Sequence, residues 1–230
     1  VALVADGVSG SRAGRIASEL AGRTFIDAYV DQNPLKGVAA AGVAALSGYN
    51  RWLHAKGRSD PDMAGAATTF TALVMRGREA TVLHVGDSRA WHFRDGVLTR
   101  LTEDHVLAQP GLSHVLYRAV GIEPDLRLDT RAVTLKAHDR LLLTTDGVHG
   151  VVSEAELADL LARRASPEAD AQAVVAAAGQ AETRDNATAL VIDVIRPGAV
   201  DQDAIGAEAA DLPILPLPAT GDRIDGFVLD

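Results

Sequence analysis

The apolar residues of this chain follow two different periods, and the changes between them predict its helices and strands. Apolar side chains recur every three or four positions over residues 13–30 and 35–55, which is the spacing of one helix face. Helices are also predicted at 153–164, behind the N-cap residue Ser153, at 167–178, and near 113–120. Runs of apolar and β-favouring residues predict strands at 1–5, 68–75, 80–85, 90–94, 97–101, 126–135, 140–145 and 187–195.

The predicted helices occur in pairs, and most strands follow one another with no helix between them. This order indicates an α+β fold built in layers, because a parallel sheet would alternate strands with helices. Residues 197–230 lack a helical period, and their proline-rich stretch Leu212–Pro218 favours extended backbone. We therefore expect one domain over 1–196 and an acidic, proline-containing linker over 197–230 that leads toward a following domain.

Composition and charge narrow the class of protein. The 230 residues are 47% hydrophobic, which suits one globular domain, and the absence of cysteine excludes disulfides and thiolate sites, in keeping with a cytoplasmic location. A net charge of −9 argues against a nucleic-acid partner. No apolar run reaches the ~18 residues of a membrane span. Because Val1–Ala5 is already strand-like and has no initiator Met, we expect the chain to be part of a longer protein.

Three short acidic motifs lie far apart in the sequence, and each one adjoins an apolar strand. They are Ala5-Asp6-Gly7, Thr145-Asp146-Gly147 and Arg184-Asp185-Asn186. Carboxylates that converge at the ends of buried strands are costly unless a cation lies among them, and hard divalent cations prefer oxygen ligands. The pattern predicts a metal-dependent hydrolase, with phosphoesters as the expected substrates.

Asp-Gly is also an ordinary turn dipeptide, so the sequence context of each copy matters. Asp95-Gly96 joins two short amphipathic strands and needs only hairpin chemistry, and Asp225-Gly226 lies in the tail. Asp6-Gly7 and Asp146-Gly147 instead end apolar strands and precede helices, where glycine lets the backbone approach a metal closely. In Gly86-Asp87-Ser88-Arg89, a metal ligand and a β-bulge with an Asp87–Arg89 ion pair are equally good interpretations.

Seven short motifs follow one another along residues 1–195. They are Val4-Ala-Asp-Gly-Val-Ser-Gly10, Ala67-Thr-Thr-Phe70, Val85-Gly-Asp-Ser-Arg-Ala90, Leu101-Thr-Glu-Asp-His105, Leu116-Tyr-Arg-Ala-Val-Gly121, Leu142-Leu-Thr-Thr-Asp-Gly147 and Arg184-Asp-Asn-Ala-Thr188. In this order they resemble the metal-dependent protein serine/threonine phosphatases of type 2C, the PPM family. The resemblance implies a four-layer α-β-β-α sandwich of two antiparallel sheets flanked by helix pairs.

The resemblance also implies the site and its chemistry. Two Mg²⁺ or Mn²⁺ ions would be bridged by Asp6, with the Gly7 carbonyl as a further ligand. Asp146 and Asp185 would be carboxylate ligands, and Asp87 would hold a third, weaker ion. A water bridging the two ions would attack phosphorus directly, without a phosphoenzyme.

The chain departs from the family pattern at three places. The strand that should precede Val1 is missing, and with it an acidic ligand and a phosphate-binding arginine. The positions where the family carries a histidine hold Val8 and Ser11, so His149 is a candidate general acid, although a structural residue at the rim is the plainer interpretation. The flap between His105 and Leu116 has only ten residues, which suggests an open site.

Two arginines are candidate substrate-binding residues. Arg12 and Arg15 could help capture phosphate or could be solvated helix residues.

The tail sequence from Ala219 to Leu229 is similar to the segment that introduces a kinase domain in bacterial phosphatase–kinase fusions. We therefore expect a phosphoprotein substrate and, as a partner, a cognate or fused Ser/Thr kinase. The alternatives are a catalytically weakened phosphatase-like module that binds a signalling partner, and a hydrolase of small phosphoesters.

Overall fold

Two four-stranded antiparallel sheets form the centre of the protein. The computed structural model describes residues 1–8, 12–109, 111–112, 115–199, 223–224 and 227–228. The first sheet has the order β1-β2-β3-β6, with strands Ala2–Val4, Phe70–Arg76, Glu79–Val85 and Asp129–Thr134. The second has the order β5-β4-β7-β8, with strands Val97–Arg100, Arg89–Arg94, Arg140–Thr144 and Ala189–Asp193. In the tail, β9 (Arg223–Ile224) pairs antiparallel with β10 (Phe227–Val228).

Capping serines begin the two helices that cover the second sheet. The α-helices are α1 (Arg12–Val30), α2 (Val38–Ser59), α3 (Asp146–His149), α4 (Glu154–Ala162) and α5 (Pro167–Gln180), and Pro34–Lys36 and Pro61–Met63 are single 3₁₀ turns. Ser153 Oγ accepts the Glu156 N–H at 3.2 Å to cap α4, and Ser166 Oγ accepts the Ala169 N–H at 3.1 Å to cap α5.

Three apolar clusters lie between the four layers of helices and sheets and hold them together. Helices α1 and α2 bury side chains such as Phe25 and Leu46 against the outer face of the first sheet. Helices α4 and α5 bury Leu157 and Val174 against the outer face of the second sheet. The inner faces meet in a third cluster, and strand alternation divides β7 accordingly, with Leu141 and Leu143 toward the other sheet and Leu142 toward the helices.

The strand register brings the acidic motifs to one end of the sandwich. Asp6 follows β1, Asp87 connects β3 to β4 and so crosses from the first sheet to the second, and Asp146 follows β7. The last residue of β7, Thr144, is paired both with the first residue of β4 and with the first residue of β8. The loop that carries Asp185 therefore lies beside the Asp146 turn.

The α+β sandwich and its main elements are confirmed, with helix and strand ends shifted by a few residues. The short helix predicted at 113–120 is wrong over 115–120, because Leu116 and Val120 form isolated β-bridges with Val106 and Thr68 instead; residues 113–114 lie outside the described part of the chain. The Asp87–Arg89 ion pair is also wrong, since Arg89 pairs with Asp104 at 2.6 Å. The domain division at 196/197 stays a prediction. No helix among the described residues is long and apolar enough to span a membrane.

Candidate active site

Two threonines fix the backbone of Asp6. The Asp6 N–H donates to Thr69 Oγ1 at 2.9 Å, and the Asp6 carbonyl accepts the Thr69 N–H and the Thr68 hydroxyl, both at 2.8 Å. Because both the N–H and the carbonyl of Asp6 are bonded to residues 68 and 69, the direction of its carboxylate is set by the fold.

The Gly7 backbone packs directly on the first turn of α1. A Cβ atom at Gly7 would lie 2.8 Å from Gly14 Cα and closer still to the Gly14 carbonyl. A Cβ at Gly14 would in turn lie 2.6 Å from the Val8 carbonyl oxygen. The two glycines thus allow the loop after β1 to lie against the helix, which keeps the Asp6-Gly7 peptide at the end of the sheet.

The Asp146 and Asp185 motifs are joined through Thr145 and Gly147. Thr145 Oγ1 donates to the Asn186 carbonyl at 3.3 Å and accepts the Thr188 N–H at 3.0 Å. A Cβ at Gly147 would lie 2.8 Å from the Asn186 carbonyl carbon. Asp146 opens the single-turn helix α3, whereas Asp185 is exposed and accepts the following Asn186 N–H at 2.7 Å.

A sharp turn holds Asp87. Gly86 has φ +111°, a conformation that other residues rarely adopt, and a Cβ there would lie 2.6 Å from Thr69 Cβ. On the other side, the Ser88 hydroxyl lies 2.8 Å from Thr69 Oγ1, and the Ser88 carbonyl accepts the Thr71 hydroxyl at 3.1 Å. Thr69 therefore contacts both the Asp6 and the Asp87 segments.

Asp6 and Asp87 lie close enough to other carboxylates for those charges to disturb their ionisation. Burial, the Asp146 carboxylate and the charges of Asp185 and Asp87 raise the pKa of Asp6 from 3.8 to about 7. Burial, Asp146 and Asp104 raise the pKa of Asp87 to about 6, against the lowering effect of Arg89. The sequence-predicted residues Asp6, Asp87, Asp146 and Asp185 thus form one electrostatically coupled group.

The donors of this group fit a divalent cation. Asp146 Oδ1 is buried and has no hydrogen-bond partner among the described residues, so the site contains an oxygen that lacks a positive or donating neighbour. Within the same residues, no three His, Asp or Glu side chains are grouped so that they could hold a metal ion. Mg²⁺ commonly takes only one or two carboxylates and keeps several waters, so sparse carboxylate ligation suits such an ion.

His149 lies at the edge of the site in a neutral form. Its Nδ1 is 2.9 Å from Thr144 Oγ1, which also accepts the Trp91 indole N–H at 3.0 Å. Burial lowers the pKa of His149 to about 3, and the positive charge of Arg89 adds to this effect. The ring also bonds the Asp87 backbone. At pH 7 the imidazole is uncharged, and its contacts favour a role in holding the turns around it.

The structure gives little information about the two candidate arginines. Arg15 is exposed in the first turn of α1, and Arg12 begins that helix. Val8, at one of the two positions discussed for histidine, donates its N–H to the Ala67 carbonyl at 2.9 Å; Ser11, at the other, lies outside the described residues.

The hydroxyl groups that surround the site are not among the residues predicted from the sequence. Thr68, Thr69, Ser88, Thr144 and Thr145 are all fully or almost fully buried at the strand ends beside the acidic motifs. The paired threonines directly before Phe70 and before Asp146 were a usable signal, because buried hydroxyls at strand ends must find hydrogen-bond partners.

The chain also matches known proteins in sequence. The family model described as Protein phosphatase 2C matches residues 1–182, so the chain belongs to the protein phosphatase 2C family. It is 30% identical over 213 residues to the serine/threonine phosphatase stp of Listeria welshimeri, with 84% of each chain covered. It is also 30% identical over 237 residues to the serine/threonine protein phosphatase PstP of Mycobacterium tuberculosis, covering 94% of this chain and 45% of PstP.

A solved relative adds a metal centre to the comparison. The crystal structure of the catalytic domain of the serine/threonine protein phosphatase PstP in complex with two manganese ions superposes with a TM-score of 0.72. The two sequences are 28% identical, and the match covers 83% of this chain and 86% of that one.

Proposed function

We propose that this protein hydrolyses phosphoserine and phosphothreonine in proteins with the help of Mg²⁺ or Mn²⁺. The observation that carries the proposal is the group of four neighbouring carboxylates, in which a buried Asp146 oxygen has no partner among the described residues and the pKa of Asp6 is raised to about 7. Membership of the protein phosphatase 2C family and a relative's structure with two manganese ions support the reaction and the metal.

Each residue of the group has a proposed task. Asp6, Asp146 and Asp185 supply carboxylate oxygens to the pair of ions, and the Gly7 carbonyl is a further ligand. Asp87 supplies a carboxylate to an additional ion. Divalent cations bound there lower the pKa of water and neutralise charge on the phosphoryl group.

The remaining residues keep these ligands in place. Thr69 connects the Asp6 and Asp87 segments, and Thr145 connects those of Asp146 and Asp185. We assign His149 to holding the Asp87 backbone and Thr144 rather than to donating a proton, because it bonds both groups and its pKa is lowered to about 3.

Substrate, partner and location are inferred from the relatives and from the sequence. We infer that the substrates are phosphoproteins because the chain is similar to serine/threonine phosphatases, and that the partner is a cognate or fused Ser/Thr kinase because of the tail sequence from Ala219 to Leu229. The absence of cysteine supports a cytoplasmic location.

The test is release of phosphate from a phosphothreonine peptide as Mn²⁺ is titrated, with a chelator as a further arm. Asp146→Ala removes a ligand, and we expect turnover to fall at least 10²-fold. The matched control is Asp95→Asn, because Asp95 belongs to an Asp-Gly dipeptide at the opposite end of the same sheet and Asn also tolerates its φ of 52°.

Two results would contradict the proposal. One is chelator-resistant hydrolysis that Asp146→Ala leaves unchanged. The other is folded wild-type protein that binds Mn²⁺, as shown by loss of the free-ion electron paramagnetic resonance signal, but releases no phosphate. The second result would favour the partner-binding module instead.

A further inference from the structure

His105 holds the peptide group that precedes Asp87. Its Nδ1 accepts the Gly86 N–H at 3.0 Å, and its own backbone N–H donates to the Gly86 carbonyl at 2.8 Å. One residue, 19 positions further along the chain, therefore bonds both polar groups of Gly86. The side chain is almost fully buried, with 1% of the residue exposed, so water does not compete for these bonds.

The other nitrogen of the ring is oriented by an ion pair. His105 Nε2 lies 3.1 Å from Asp129 Oδ2 and also contacts Arg118 Nη2, and Arg118 Nη1 lies 2.9 Å from Asp129 Oδ1. Because Nδ1 accepts a hydrogen bond, the proton of the neutral ring is on Nε2 and is donated to Asp129. The carboxylate thus selects the tautomer that can accept the Gly86 N–H.

The turn depends on this support because its backbone is unusual. Gly86 has φ +111° and packs against Thr69, so its peptide cannot rotate without moving the threonine that also contacts Asp6. The carboxylate of Asp87 projects from the next residue, and its direction follows that of the Gly86 peptide.

The neighbouring buried histidine has a different position. The His84 ring lies 4.9 Å from that of His105, but it bonds the Thr71 hydroxyl and the Glu103 carbonyl rather than the Asp87 turn. Of these two rings, His105 is the one that bonds the Gly86 peptide, whereas His84 is linked to the turn through the Thr71 hydroxyl, which donates to the Ser88 carbonyl.

We propose that His105, oriented by Asp129 and Arg118, is a positioning residue that sets the direction of the Asp87 carboxylate toward a divalent cation. The inference rests on the proposed function in one respect, which is that Asp87 is an ion ligand. It predicts that loss of the Nδ1 acceptor weakens ion binding at Asp87 and leaves the affinity for the phosphopeptide unchanged.

The test compares His105→Leu, which lacks the acceptor, with His105→Asn, whose side-chain oxygen can occupy the place of Nδ1. We measure Mn²⁺ binding without substrate by electron paramagnetic resonance, and then kcat and KM as functions of Mn²⁺. We expect His105→Leu to raise the half-saturating Mn²⁺ concentration of the weaker site about 10-fold or more, with KM for the peptide unchanged, and His105→Asn to restore most of it.

The matched control is His92→Leu. His92 is also a buried histidine whose Nε2 lies 3.1 Å from a carboxylate, that of Asp139, but it is directed away from the acidic site. If both leucine variants shift Mn²⁺ binding equally, or if His105→Leu binds Mn²⁺ as wild type does, the inference is overturned.

A second variant covers the case in which His105→Leu does not fold. Asp129→Asn keeps the size of the side chain but removes the charge that orients the ring, and we expect a smaller shift in the same direction. An unchanged isotherm for Asp129→Asn would then overturn the inference. Failure of the proposed function would give a different result from failure of this inference. Wild-type protein would then show no metal-dependent turnover, but the Mn²⁺-binding isotherms of the His105 variants could still be compared with that of wild type.

Discussion

Replacing Gly147 with alanine tests whether the Asp146 and Asp185 turns must touch. Gly147 is buried, and a Cβ there would lie 2.8 Å from the Asn186 carbonyl carbon and nearer to its oxygen, where ordinary contacts begin at 3.4 Å. Both neighbours are backbone, so no side chain can rotate away. Either the α3 turn with Asp146 or the loop with Asp185 must move.

The size of the effect follows from this distance. Restoring ordinary contact requires a displacement of roughly 0.5–1 Å between the two turns. A misplacement of about 1 Å in a catalytic arrangement costs on the order of 10²-fold in rate, or about 2.7 kcal/mol of transition-state stabilisation. We therefore expect Gly147→Ala to lower kcat/KM about 10²-fold and to weaken Mn²⁺ binding.

The assay compares this variant with Gly179→Ala under saturating Mn²⁺. Gly179 is in the last turn of α5, and a Cβ there would have no atom within 4 Å. The same chemical change should therefore leave the rate unchanged and raise the free energy of unfolding by about 0.5–1 kcal/mol. Wild-type kcat/KM and Mn²⁺ affinity in Gly147→Ala would refute the reasoning, since the two turns would then be able to separate without consequence.

Two further predictions concern stability. Arg140 is fully buried between Asp170 at 2.6 Å and Asp193 at 2.5 Å, so Arg140→Met leaves a buried carboxylate unpaired and should lower the free energy of unfolding in urea by about 3–5 kcal/mol; a change below 1 kcal/mol would contradict this. Burial would raise the pKa of Asp139, but hydrogen bonds from Arg94 and the Lys136 N–H outweigh it and lower the pKa to about 2. The charge of Asp139 therefore contributes about 2 kcal/mol to the free energy of unfolding above pH ~4, and this contribution is lost as the pH falls toward 2. Asp139→Asn should flatten that part of the curve of unfolding free energy against pH, and an unchanged slope would contradict the prediction.

The sequence predicted elements whose pattern is local and missed contacts between distant segments. Strand β7 was predictable because three successive leucines are buried, and α4 because Ser153 and Glu156 signal its start. The segment 115–120 was mispredicted because its conformation is set by pairing with distant residues. Secondary-structure preference contains no information about such pairing.

The same limit applies to the site. Asp6 and Asp146 could be separated from Asp95, which has the same dipeptide, by the apolar strands that precede them. The partner of Arg89 could not be predicted, because the nearest carboxylate in sequence is Asp87, whereas Asp104 approaches only once the chain after β5 has folded back. The contact of His105 with Gly86 depends on the same folding back.

The position of the acidic group between the two sheets has a consequence for folding. Asp6 belongs to the first sheet, Asp146 to the second, and Asp87 to the crossing between them, so neither sheet alone contains the group. Ions that bind only when the sheets are docked stabilise the native state by mass action, by about 2.7 kcal/mol at a concentration 100 times the dissociation constant. The supply of divalent cations would then determine how much of the protein is folded and protected from proteolysis, in addition to how fast each folded molecule works.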